Sequence, residues 1–95
     1  MGDQLETFFQ ELVVELNSTL KPQITKFNLD WTNLKRSKIY KISNGEVTAE
    51  FDTIGSNLIM RLSTSRREIR VGEFSEANKA PLKLTIITKI IEAMN

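Results

Sequence analysis

Three short turn signals, Asn44-Gly45, Gly55-Ser56 and Thr64-Ser65, punctuate residues 38–73, and the strand pairings they imply agree with one another. A two-residue loop at Asn44-Gly45 predicts Ile42 opposite Val47 and Tyr40 opposite Ala49. A loop at Gly55-Ser56 puts glycine where a type II′ turn needs positive φ. It predicts Thr53 opposite Leu58, Phe51 opposite Met60 and Ala49 opposite Leu62. A loop at Thr64-Ser65 predicts Met60 opposite Ile69 and Leu58 opposite Val71. Each register sends the same apolar set to one face. Because side chains alternate with period two, a one-residue slip in any hairpin would scatter that set over both faces. The expectation is a four-stranded antiparallel meander with one apolar side.

Helical spacing flanks the meander. Leu5, Phe8, Phe9, Leu12, Val13, Leu16 and Leu20 form one stripe over residues 3–20, and Pro22 stops that helix near Lys21. Beyond a loop at residues 75–81, Pro81 stands at a first helical position. Leu84, Ile87, Ile91 and Met94 then repeat at helical spacing, flanked by Ile86 and Ile90. The β-branched run Thr85-Ile86-Ile87-Thr88 opposes a helix, yet the period persists to Met94, so a helix of about three turns is predicted. Between the first helix and the meander, Thr25, Phe27, Leu29 and Trp31 alternate with Lys26, Asn28 and Asp30, as in a short strand. The spacing of Ile24, Phe27, Trp31 and Leu34 fits a helical turn as the alternative. The predicted fold class is α+β: a two-layer sandwich with a four-stranded antiparallel meander and a fifth short edge strand from residues 23–37. N- and C-terminal helices cover one face of the sheet. Ninety-five residues make a single domain, 1–95, with one modest core.

Composition narrows the chemistry. Thirteen basic and twelve acidic side chains leave a net charge of +1, which selects neither nucleic acid nor a membrane surface. The absence of histidine and cysteine removes the usual nucleophile–base pairs, thiolate chemistry and disulfides. The glycines stand apart at positions 2, 45, 55 and 72, so no glycine-rich phosphate loop is formed. Neither a cofactor nor a metal site is predicted. The acidic start Asp3-Gln4-Leu5-Glu6 lacks the basic segment of a secretion signal, and no apolar run has membrane-spanning length. A cytoplasmic protein with no membrane contact is expected. The Asn17-Ser18-Thr19 sequon lies inside the first helix and is read as chance.

The remaining side chains point to interaction. The meander's second face carries Lys41, Glu46, Thr48, Glu50, Asp52, Arg61, Ser63, Glu68 and Arg70, with Ile39 and Ile59 as apolar exceptions. Arg61 falls opposite both Glu50 and Glu68, pairs worth roughly 0.2–1 kcal/mol each. The acidic side chains here therefore read as a solvated, charge-balanced surface. Ile39 and Ile59 beside Arg61 and Arg70 are candidate protein-binding residues. Isoleucines 86, 87, 90 and 91 wrap more than one stripe of the last helix, which predicts burial on two sides. Ile86 and Ile90 are the candidates for the partner side. A non-enzymatic protein-interaction domain that forms a homodimer and binds a further protein is the leading expectation. The alternative is a nucleic-acid-binding accessory protein using Lys35, Arg36, Lys38, Arg66 and Arg67 on phosphates. Those groups fall at opposite ends of the predicted sheet, and the outer face lacks aromatic residues on which bases could stack.

Overall fold

The computed structural model describes residues 3–33 and 38–94. Helix α1 (Asp3–Thr19) is followed by β1 (Asn28–Asn33), β2 (Lys38–Ser43), β3 (Thr48–Ile54), β4 (Asn57–Leu62) and β5 (Glu68–Glu73). A single 3-10 turn (Glu76–Asn78) then leads into α2 (Lys79–Met94). The strands form one antiparallel sheet in chain order. Both helices lie on the same side of it, giving the two-layer α+β arrangement that the turn registers and helical stripes predict. Residues 28–33 settle the ambiguous segment: they are a strand, with Leu29 opposite Ile42 and Trp31 opposite Tyr40.

The β3–β4 hairpin has the predicted register, with Thr53 opposite Leu58, Phe51 opposite Met60 and Ala49 opposite Leu62, and Gly55 has φ 63°. The β2–β3 connection departs from prediction by two residues. Ile42 lies opposite Ala49 and Tyr40 opposite Phe51, so the loop holds four residues, 44–47. Asn44 is the cause. Its Oδ1 accepts from the Glu46 and Val47 backbone N–H groups, each at 3.0 Å, which builds a wider turn than two residues allow. A shift of two preserves the faces, so the apolar set stays together.

The β4–β5 connection is also longer than two residues. The register sets Met60 opposite Ile69 as predicted, but the ladder stops at Arg61–Glu68 and residues 63–67 form the link. Further along, Leu58 meets Gly72 rather than Val71, because a bulge interrupts the ladder between Leu58 and Ile59. Gly72 has φ 149°, and a Cβ there would stand 3.2 Å from the Leu82 side chain. The missing side chain lets α2 lie close to β5. Helix α2 also begins earlier than expected: residues 76–80 are already helical turns, and Pro81 sits in the first turn, where no intrahelical N–H is required.

The core lies between the layers. Phe8, Phe9, Leu12 and Leu16 from α1 and Leu82, Ile86 and Ile90 from α2 meet Tyr40, Ile42, Ala49, Phe51, Leu58, Met60 and Leu62 from the sheet. Each large side chain so buried contributes about 1.5–3 kcal/mol. Two asparagines tie the irregular backbone to this core. The Asn17 side chain exchanges both its bonds with Phe27: Nδ2 donates to the carbonyl at 3.1 Å and Oδ1 accepts from the N–H at 2.8 Å. Its amide is thus structural, which agrees with reading the sequon as chance. Buried Asn44 also donates from Nδ2 to the Thr25 carbonyl at 3.1 Å, joining the β2–β3 loop to the segment that enters β1.

Removing that amide should be costly. Asn44→Ala orphans two backbone N–H groups and the Thr25 carbonyl, and an unpaired buried group costs about 1–3 kcal/mol. A loss of about 2 kcal/mol in urea unfolding at unchanged slope is expected, with Asn44→Asp intermediate because its acceptor survives.

Candidate interaction surfaces

The sheet leaves one whole face uncovered by helices. Across it runs a row in which charge alternates strand by strand: Asp30, Lys41, Glu50, Arg61, Glu68. The order follows from the period-two pattern of each strand, which brings these positions into register. Arg61 donates from Nε and Nη2 to one Glu68 oxygen at 2.9 and 2.7 Å, and Lys41 lies 3.9 Å from Glu50. The Glu68 hydrogen bond holds the Arg61 guanidinium above its ordinary pKa, outweighing burial, with smaller help from the charges of Glu68, Asp52 and Glu50. As exposed pairs these contacts stabilise little. Their effect is to leave the face nearly neutral at each point.

Beside this row the predicted apolar pair separates. Ile39 is half-buried, whereas Ile59 is only 4% exposed although it points away from the helices. It is flanked across the strands by Asp52 and Arg70, and so offers no apolar anchor to a partner. Arg70 is exposed and Arg61 is engaged by Glu68. The four residues therefore share a face without forming an open apolar patch. Among the described residues, no group of three or more acidic side chains is arranged to hold a metal ion.

The second surface is the outer side of the helix layer, and here the expected roles reverse. Ile86 and Ile90, expected to face a partner, are fully buried against the sheet. The stripe offset from them, Leu84, Ile87 and Ile91, faces outward or along α1: Leu84 is 68% exposed and the two isoleucines are half-buried. Both stripes have helical spacing, so spacing alone could not tell which one the sheet would take. On α1, Val14 is 69% exposed. It falls opposite the long apolar stripe of α1, so the helical period gives it no signal.

Lys83 joins the two helices. Its ammonium donates to Glu11 Oε1 at 3.0 Å and to Glu15 Oε2 at 3.1 Å. Next to Lys83, Leu84 and Ile87 line a shallow depression with Glu15, Glu76 and Lys79, whereas Val14 points from α1 directly away from the sheet. Further up, Leu20, Ile24, Ile91 and Met94 line a small apolar cleft where the two helices end.

The basic residues do not converge. Lys35 and Arg36 lie outside the described residues. Lys38 begins β2, pairs with Glu6 at 3.7 Å and lies over the rings of Trp31 and Tyr40 at 4.9 and 5.5 Å. Arg66 and Arg67 are exposed in the β4–β5 link, at the other end of the sheet. No helix among the described residues is long and apolar enough to cross a membrane. Comparison with protein-family models, with curated protein sequences and with solved structures returned no match to this chain.

The clamp on Lys83 has a pH signature. Hydrogen bonds to Glu11, and then to Glu15, raise its pKa above the ordinary 10.5 against the opposing effect of burial. A raised lysine pKa stabilises the fold fully below the unfolded value and is lost as pH rises through the folded one. The stability difference between wild type and Lys83→Met should thus be constant from pH 7 to 9 and shrink at more alkaline pH. Urea unfolding at each pH measures it, and a difference that grows with alkalinity would contradict the clamp.

Proposed function

We propose that this chain is a small non-enzymatic protein-interaction domain, located in the cytoplasm, that self-associates and receives a protein partner on its helix layer. The observation that carries this reading is the exposure of Leu84 beside half-buried Ile87 on a helix whose other side is buried against the sheet. Leu84 lies outside the core cluster. Leu84 and Ile87 form a small apolar centre, and Glu15, Glu76, Lys79 and Lys83 edge it with both signs of charge. An apolar centre within a polar rim is the anatomy of a protein–protein contact. A balanced rim also presents no net field that would repel an identical copy or attract a polyanion.

Light scattering on the purified chain, with and without a mixed duplex oligonucleotide at low and physiological salt, tests the reading. The expected mass is near two chains and indifferent to the oligonucleotide. A monomer that gains the oligonucleotide, and loses it as salt rises, would overturn the reading in favour of phosphate contacts by Lys38, Arg66 and Arg67. Leu84→Glu should leave unfolding stability within about 0.5 kcal/mol of wild type, as expected of a surface position. A much larger loss would place Leu84 in the structural core and remove it from the proposed surface.

A further inference from the structure

The two edges of the sheet are finished differently. β5 carries the bulge, places charged Glu68, Arg70 and Glu73 along its length, and has its Glu73 carbonyl taken by Asn78 Nδ2 at 2.7 Å. Bulges, charges and covering groups are the devices that keep an edge strand from pairing with another chain. β1 has few of them. It pairs with β2 along all six of its residues without a bulge, and it contains neither proline nor lysine.

Backbone direction on β1 follows from the ladder. Asn44 N–H donates to the Val47 carbonyl, so alternation makes Ile42 and Tyr40 bond toward β3. Ile39, Lys41 and Ser43 then bond toward β1, through Thr32, Asp30 and Asn28. Leu29, Trp31 and Asn33 therefore direct their N–H and C=O groups away from the sheet. Two contacts agree: Trp31 N–H donates to the Asp30 carboxylate at 2.8 Å, and the Phe27 backbone is held by Asn17 rather than by β2. Asn17 closes the edge at Phe27. Between it and Asn33 the edge is a short, unbulged strand with Trp31, 41% exposed, at its centre.

We propose that a second copy of this chain adds its own β1 to this edge, antiparallel, about a two-fold axis at Trp31. The inference rests on the self-association reading and names the surface that joins the copies. Charge and occupancy select the axis. Centred on Asp30, the pairing would set this carboxylate against the partner's Asp30, an unfavourable like-charge pair. Centred on Leu29, it would need the Phe27 backbone, which Asn17 holds. Centred on Trp31, it sets Asp30 across from the partner's Thr32 and Leu29 across from the partner's Asn33. Leu29, Trp31 and Asn33 then exchange backbone bonds with the second copy, the Trp31 N–H turning from its own, rotatable Asp30 carboxylate to the partner's carbonyl. Trp31, already opposite Tyr40 in its own sheet, gains the partner's Trp31 on its other side, so an aromatic row crosses the join. The product is one continuous antiparallel sheet with all helices on one side, and it leaves the Leu84–Ile87 surface of each copy free for another protein.

The absence of cysteine in the chain provides a direct test. Opposed residues of a hydrogen-bonded antiparallel pair have Cα atoms about 5.5 Å apart, within the roughly 4.4–6.8 Å that a disulfide spans. Trp31→Cys should therefore cross-link to a covalent dimer under mild oxidation, reversibly with reductant, while Leu84→Cys should not. Trp31→Lys, folded by circular dichroism, should have the mass of one chain. A wild type that is monomeric at every concentration overturns the self-association reading and this inference together. A dimeric wild type whose folded Trp31→Lys variant stays dimeric, or whose Leu84→Cys variant cross-links while Trp31→Cys does not, overturns the β1 join alone.

Discussion

The ring of Phe9 lies 4.8 Å from that of Tyr40 and 4.8 Å from that of Phe51, and most of the architecture is tied to that contact. Tyr40 and Phe51 are cross-strand partners on β2 and β3, so one side chain from α1 fixes the helix layer over the middle of the sheet. Phe8 extends the cluster, meeting Phe9 at 5.2 Å and Phe74 at 5.3 Å, which links α1 to the segment that leads from β5 toward α2. These edge-on and tilted rings combine area burial with directional preference. The sheet must therefore present its apolar face to α1, and its charged face is left outward.

Polar groups position what the aromatic cluster cannot reach. Asn17 and Asn44 act on irregular backbone at the same end of the molecule, one before β1 and the other between β2 and β3. Both use the amide as a donor–acceptor pair, which lets one side chain take the place of a missing strand neighbour. Lys83 plays the corresponding part between the helices. With its side chain only 18% exposed and two carboxylates around it, it sets α2 against α1 at a fixed height. The depression lined by Leu84 and Ile87 thus borders an ion cluster that joins the two helices.

The candidate sites were only partly legible. The position of Arg61 between Glu50 and Glu68 is legible, because cross-strand register is local information once the turns are known. Ile59 was expected to be an exposed anchor, yet it is buried, because its cover comes from side chains on neighbouring strands whose reach depends on the twist of the sheet. Ile86 and Ile90 read as the partner side of α2 but face the sheet, for a related reason. An apolar run wider than one stripe has no internal mark saying which edge turns inward. The orientation is decided by the close approach at Gly72 and by Lys83 reaching α1.

Read alone, the amino-acid order determines the helices at both ends, the antiparallel meander, its apolar face and the poverty of catalytic side chains. All of these follow from short-range spacing and from residue types. Tertiary structure decided the rest. The width of the β2–β3 loop depended on the Asn44 side chain folding back onto its own turn and across to Thr25. The strand at residues 28–33 depended on β2 being there to pair with, since an isolated short strand has no hydrogen-bonding partner of its own. The outward stripe of α2 depended on where α1 already lay. Each involves groups far apart in sequence, whose contact exists only once the layers have closed.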